Sequence, residues 1–439
     1  MRVALAYGRS DLTIELPDHR HSVEILEKQP VEPIRDPDAA IRRALDDPIG
    51  QPPLHEIAKG RSDAVIVISD RTRPVPNALI LPPILDALRA GGLAAEAVTI
   101  QVATGLHRSN TPAELAEMLG TELARSLRIV QHDARDPSSH ADLGRTEGGI
   151  PILIDRFFLG SDLRILTGLI EPHLMAGFSG GRKAVCPGLA AVETIRVAHG
   201  PAMIQSAVGP GIIDGNPLHE GLLEILRRVG ADFLVNVALD RDRQIAGVFC
   251  GDVEAAHAQG MVFVENESGV AIDEAADLVI ASGGGDPLDA TYYQAIKGIS
   301  ATSGIVRPGG IILLCASLSE GIGSVSFEKL LRRFETPGEF ELQLEDDEFF
   351  AIDQWMVQHL CQAHRRARLW LYTDGLPAET LRELLIEPVA SVAAGVDAAL
   401  AQLGPSARIA VVPQGPYVLA TVAGAKRPLG GESPVSDRL

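Results

Sequence analysis

The chain has 439 residues, and its 39 Lys and Arg against 58 Asp and Glu leave a net charge of −19. At ~150 residues per domain, that length predicts two or three domains. The acidic balance excludes a general nucleic-acid binder, which needs a basic footprint, and a polybasic membrane-surface protein. Apolar residues make up 46% and aromatics only 4%, so Ala, Leu, Ile and Val must fill the core.

In chain order, short apolar runs read as strands over Ala64–Ile68, Ala97–Val102, Leu127–Val130, Arg164–Leu169, Phe233–Ala238, Leu278–Ile280, Gly310–Leu314, Arg368–Tyr372 and Arg408–Val412. Uninterrupted runs of this length suit strands buried on both faces. Helices are expected over Asn77–Ala90, stopped by Gly91-Gly92, and over Ala191–His199, Pro217–Arg228, Val253–Val264, Ala290–Ser300, Asp353–Gln362 and Val389–Leu403. The alternation predicts an α/β protein: two α/β domains with mostly parallel sheets and an active-site cleft between them. The expected division is an N-terminal domain over 1–267, a C-terminal domain over 268–423 whose last strand is free to return to the first, and a mobile polar tail over 424–439.

Cys186, Cys250, Cys315 and Cys361 are widely spaced, with no CxxC, so neither a disulfide framework nor a thiolate zinc site is expected. Buried reduced thiols in a cytoplasmic protein are the expected state. MRVALAYGRSDLTIELP carries acids early and is no signal peptide. No run of ~18 apolar residues exists to span a membrane.

Five segments carry side chains for chemistry. Ser69-Asp70-Arg71-Thr72-Arg73 follows the strand AVIVI, and ligands of open α/β sheets bind beyond the carboxyl ends of strands. Asp70 can hold a ribose hydroxyl or orient a cation there, and the planar fork of Arg73 can clamp a carboxylate or phosphate. Ala103-Thr104-Gly105-Leu106-His107-Arg108 leaves the next strand and places an imidazole at its end. The third segment, GLIEPHLMAGFSGGRKA over residues 168–184, runs from a strand through Glu171-Pro172-His173 into a glycine-rich loop and then the basic pair Arg182-Lys183. Such loops let backbone N–H groups approach an anion. It is not a phosphate-binding GxxxxGK[ST] loop, which needs Gly where Arg182 stands and Ser or Thr where Ala184 stands, and GxGxxG is absent. A lysine amine among glycines can also serve as a covalent anchor.

The fourth segment sets His199 in a last helical turn before Gly200. His107, His173 and His199 could form a three-histidine metal set, although their separations match no local zinc signature. The fifth, Gly283-Gly284-Gly285 followed by Tyr292-Tyr293-Gln294-Ala295-Ile296-Lys297, puts Gln294 and Lys297 on one helix face, suited to gripping a carboxylate.

Over residues 5–420, these segments together resemble the nickel-pincer nucleotide-dependent lactate racemases, a family of 2-hydroxyacid racemases and epimerases. EPHLMAGFSGGRKAVCPG carries most of the likeness, with SDRTRPVP, ATGLHR and YYQAIK in the same order. The resemblance implies a pyridinium mononucleotide holding Ni2+ in an SCS pincer (a pyridinium-3-thioamide-5-thiocarboxylic acid mononucleotide), tethered at Lys183. It implies His199 as the protein ligand to nickel and His107 and His173 as acid/base residues. Asp70, Arg71, Thr72, Arg73, Gly177, Ser179, Gly180 and Gly181 would surround the cofactor. Arg73, Tyr293, Gln294, Lys297 and Trp355 would meet a small 2-hydroxyacid substrate. Cofactor-biosynthesis enzymes would be transient partners. From the residues alone, two other readings stand: a zinc hydrolase or lyase using the three histidines, and a nucleotide- or hydroxyacid-binding protein without turnover.

Overall fold

The computed structural model describes residues 1–16, 22–346, 349–404 and 406–424; the tail expected over 424–439 lies outside them apart from Gly424. The chain forms two six-stranded sheets. The first runs in the order Ile245–Gly251, Phe233–Leu239, Leu163–Leu169, Ala64–Ser69, Val98–Ala103, Arg128–Gln131. All its neighbours are parallel except Ile245–Gly251, which returns antiparallel to Phe233–Leu239. The apolar runs are buried on both faces, as their composition requires. Val65 and Val67 join one core, while Ala64, Ile66 and Ile68 point into another on the opposite side. An α/β architecture of mostly parallel sheets results.

The second sheet is wholly parallel, in the order Glu387–Pro388, Ala367–Tyr372, Val306–Cys315, Ala276–Ser282, Ile409–Val412, Val23–Ile25. Its last member comes from the start of the chain. The hairpin of Arg2–Tyr7 with Ser10–Glu15 also belongs here: Val3, Leu5, Tyr7 and Ile14 pack on Leu278, Ile280 and Ile311. Leu5 alone is fully buried, worth about 2 kcal/mol. A division of the chain at 267/268 therefore leaves out an excursion. The strands Arg2–Tyr7, Ser10–Glu15 and Val23–Ile25 build on the second sheet, and the chain then crosses to the first. The reason is non-local: Val23–Ile25 finds its partner almost 400 residues away, where no sequence periodicity can announce it.

The chain crosses back near Gly269. The two crossings lie side by side, with Gln29 N–H donating to the Glu267 carbonyl at 2.7 Å and Lys28 Nζ to Leu239 O at 2.7 Å. Lys28 also pairs with the buried Glu267 carboxylate. Gly269–Ile272 pairs in parallel with Leu419–Val422, and Leu419 packs on Ile170, Phe178 and Val264. Among the described residues, no helix is long and apolar enough to cross a membrane. All four cysteines are free and buried.

Candidate active site

Three adjacent strands of the first sheet, Leu163–Leu169, Ala64–Ser69 and Val98–Ala103, send their carboxyl-terminal loops to one cleft. Its walls include Asp70, Thr72, Arg73, His107, His173, Ser179, Gly180, Lys183 and His199. Tyr293, Gln294, Lys297 and Trp355 close it from the second half. Most of the residues singled out from the sequence thus meet in one cavity of about 160 Å³.

The first loop makes a tight turn around a buried carboxylate. Asp70 Oδ1 accepts from Thr72 N–H at 3.1 Å and from its hydroxyl at 2.6 Å. Oδ2 lies 2.5 Å from His107 Nδ1. Burial raises the Asp70 carboxyl, but the charge and hydrogen bond of His107, the Thr72 hydroxyl and the Arg73 charge outweigh it and hold the group down at about 2. A carboxylate so held orients the imidazole and leaves the other ring nitrogen to the cleft. Arg73 lies 3.8 Å from Glu171 Oε1.

The glycine-rich loop is shaped by one residue that the motifs did not reveal, Asn236 on the neighbouring strand. Its Oδ1 accepts from Gly181 N–H at 2.8 Å. A Cβ on Gly180 (φ +78°) would sit 2.5 Å from that same oxygen, so only glycine fits. Gly181 likewise abuts the His257 ring, at 2.6 Å from where its Cβ would be. The basic pair divides. Arg182 turns into the core, 1% exposed, where it donates to Ala176 O at 2.6 Å and approaches His257 Nδ1 at 3.4 Å. It braces the loop and does not offer charge to an anion. Lys183 faces the cleft, where burial, then the charges of Arg73 and Arg182, depress its amine to about 7. A large neutral fraction near pH 7 makes that amine a nucleophile.

Three expected cofactor contacts sit elsewhere. Arg71 does not line the cleft; it pairs with Glu114 at 3.2 Å and reaches across to Glu320 of the second half at 2.9 Å. Gly177 pairs with His173 in a short hairpin and lies against Ile212 O, with a Cβ position 2.4 Å away. Gly177 and Gly181 serve the backbone path and are not lining residues.

His199 caps the helix Val192–Ala198. Its Nδ1 is buried with no hydrogen-bond partner among the described residues, and burial pushes its pKa down to about 3. An orphaned, neutral imidazole nitrogen beside Lys183 suits a ligand to a bound metal. His107, His173 and His199 do not cluster as a set: among the described residues, no group of three His, Cys, Asp or Glu could hold a metal ion.

On the opposite wall, the Trp355 indole donates to Tyr293 Oη at 2.8 Å and its ring lies 5.3 Å from that of His199. Gln294 is buried with Oε1 unpartnered among the described residues. Burial and the charges of Arg73 and Lys183 lower the Lys297 amine well below the usual lysine range, against Glu171 and Asp70. Asp353 also lines the cleft and was not expected. It precedes the helix Gln354–His364 in the left-handed region, φ +72°, yet makes no cap hydrogen bond; Ser324 donates to it instead. In sequence it reads as an ordinary helix-capping aspartate, which hid it.

Fold and cleft together define an α/β protein whose sheet-edge cleft gathers Lys183, His107, His173 and His199 with the cations Arg73 and Lys297. Residues 7–210 match the lactate racemase N-terminal domain and residues 272–420 its C-terminal domain. The lactate racemase of Thermoanaerobacterium thermosaccharolyticum is 31% identical over 422 residues, covering 95% of this chain and 98% of that protein. That of Lactiplantibacillus plantarum is 33% identical over 418 residues, covering 94% and 98%. The structure of the T. thermosaccharolyticum lactate racemase apoprotein superposes with a TM-score of 0.89, covering 96% of this chain and all of that one. A Thermotoga maritima protein, 19% identical with a TM-score of 0.70, shares the fold. The chain belongs to the lactate racemase family.

Proposed function

We propose that this protein is a racemase of a lactate-like 2-hydroxyacid that works by reversible hydride transfer to a nickel-pincer pyridinium mononucleotide tethered at Lys183. The observation that carries this reading is the pairing, in one cleft, of a depressed lysine amine with an orphaned imidazole nitrogen at His199. The first suits covalent attachment and the second a nickel ligand. When bound, the group supplies a hydride acceptor for the substrate carbon.

The protein supplies the rest. Inversion at C2 breaks a C–H bond beside a carboxylate. Loss of a proton there would pile charge on charge; loss of hydride leaves a neutral carbonyl. Arg73 and Lys297, with Gln294, hold the carboxylate so that the planar ketoacid turns without escaping. His107 and His173 manage the hydroxyl proton, an imidazole's ordinary task near neutral pH. Tyr293 would lie close to the metal, Trp355 would line the substrate pocket, and Thr72, Ser179 and Gly180 would hold the nucleotide. The zinc reading loses its basis, because its three histidines do not form a ligand set.

Protein matured with the cofactor-making enzymes, its transient partners, is expected to hold nickel and a long-wavelength chromophore. It should also convert each lactate enantiomer to the racemate by chiral chromatography. Zinc with no chromophore, or retained ligand with no interconversion, overturns the reading.

A further inference from the structure

One carboxylate stands behind the cations of the cleft, and we propose that Glu171 is a positioning residue that acts through Arg73 and Lys297 without touching the substrate. The inference rests on the racemase reading and adds to it.

Glu171 does not line the cleft. It lines a smaller cavity of about 20 Å³ with Arg73, His173, Lys297 and Tyr417. Arg73, His173 and Lys297 line both spaces, so they form the partition between them. The Glu171 backbone is fixed on the far side. Its N–H donates to Ser179 Oγ at 3.0 Å and its carbonyl accepts from Ser179 N–H at 2.9 Å. Pro172 follows, with φ set by its ring. The reach of the carboxylate is therefore left to the side chain.

That carboxylate is enclosed and incompletely satisfied. Oε1 lies 3.8 Å from Arg73 Nε, and the side chain is only 13% exposed. Oε2 is buried without a hydrogen-bond partner among the described residues, and so is Tyr417 Oη, which comes from the second half. Burial, then the Glu171 charge, push the Tyr417 phenol up, so its hydroxyl stays a donor. A cavity of this size admits about one water, enough to join Glu171 Oε2, Tyr417 Oη and the Lys297 amine.

Placement decides the effect. Arg73, Lys183 and Lys297 are three cations around one cleft. Burial, then the charges of Arg73 and Lys183, favour loss of the Lys297 proton, and the charge of Glu171 opposes that loss. The other cleft carboxylates are engaged: Asp70 by His107 and Thr72, Asp353 by Ser324. Glu171 keeps an oxygen for the cations. On the cleft side it would repel a substrate carboxylate. Behind the partition it holds Arg73 and Lys297 charged and in place, and leaves their cleft faces open to the substrate.

Glu171→Gln removes the charge at nearly constant shape. In protein matured with the cofactor-making enzymes, KM for both lactate enantiomers should rise roughly 5- to 50-fold with kcat within about threefold, the pattern of a weakened ground-state grip. The rise should grow with pH, because Lys297 is protonated at low pH in either protein. Glu171→Asp, which keeps the charge, should recover part of the loss. An unchanged KM, or a fall in kcat alone, overturns the inference.

A second readout needs no turnover: amine-selective labelling of Lys297 in the full-length protein without cofactor, followed by peptide mass spectrometry. The other groups facing that amine, Arg73, Lys183, Asp70, His173 and Tyr417, are the same in both proteins. Loss of the counter-charge should move the labelling midpoint to lower pH, further from the ordinary lysine range. A merely structural role would open the site and move it to higher pH. An unchanged or raised midpoint overturns the inference. If wild-type protein interconverts neither enantiomer, the racemase reading fails, and the labelling midpoint still decides the role of Glu171.

Discussion

The two walls of the cleft are made in different ways. The first-sheet wall is set by backbone: strand-end turns whose peptide groups are pinned by buried Asp70, Asn236, Asn216 and Arg182. The opposite wall is one face of the helix Tyr292–Thr302 and the first turn of Gln354–His364, held by side chains such as the Trp355–Tyr293 bond. In the proposed reading the groups that form or break covalent bonds sit on the rigid wall, where a small misplacement is costly. In the same reading the substrate-gripping groups are divided, Arg73 on the first wall and Gln294 and Lys297 on the other, which also meets the first half through hydrogen bonds such as Gln358 to Pro201 O and Arg243 to Gly284 O.

The comparison is broken most completely at the rigid wall. Lys183→Ala should abolish the covalent mass increment seen by intact-protein mass spectrometry after maturation; an increment retained in the variant removes the tether. The same lysine offers a pH test on unloaded protein. Its folded pKa of about 7 means that it is protonated and unreactive below that pH and neutral above it. Amine-selective labelling of Lys183, read by peptide mass spectrometry, should reach half its maximal rate near pH 7. A midpoint in the ordinary lysine range would show that burial does not activate it.

A smaller effect is expected across the cleft. Lys297→Ala removes one charge-assisted contact, worth about 1.5–3 kcal/mol or roughly 10- to 100-fold in kcat/KM, most of it in KM. Cofactor mass and nickel content should not change. Loss of nickel in this variant would mean that the two walls are not separate in function.

The smallest effect belongs to the rim. Arg71–Glu320 joins the two halves, but Glu320 is about half exposed, and such pairs contribute about 0–1 kcal/mol. Glu320→Ala should change kcat/KM less than about threefold, and raising salt should affect wild type and not the variant. Equal salt dependence in both would assign the pair no part in closure.

What the sequence made legible follows the same division. Strand ends could be read because apolar runs stop where reactive residues begin, as at Ser69-Asp70 and Ala103–His107, and all nine expected strands are present. The site's supports were not legible. Asn236 lies inside a strand whose other residues are apolar, and nothing local says that its amide shapes a loop more than fifty residues earlier. Arg182 and Lys183 are chemically alike in a string of letters, yet one braces the core and the other faces the cleft. Arg71 sits within a motif of cleft residues but its partner, Glu320, is supplied by the other half of the molecule. His107 and His173 are the same letter, yet the Nδ1 of the first meets the Asp70 carboxylate and that of the second accepts from the backbone N–H groups of Met175 and Ala176.

The paired crossings at Gln29 and Glu267 give the molecule the mechanics of a door hung on a short pin. Two adjacent strands of chain, clipped together by a backbone hydrogen bond and the Lys28–Glu267 ion pair, resist shear and twist far better than they resist bending. A swing about the line of the crossings would have to break further ties between the halves, among them Gln358 to Pro201 O at 3.3 Å, Gln362 to Ile204 O at 3.3 Å and Arg243 to Gly284 O at 3.3 Å. His107, His173 and Lys183 all stand on the same leaf, so their spacing does not depend on how the two leaves are hung.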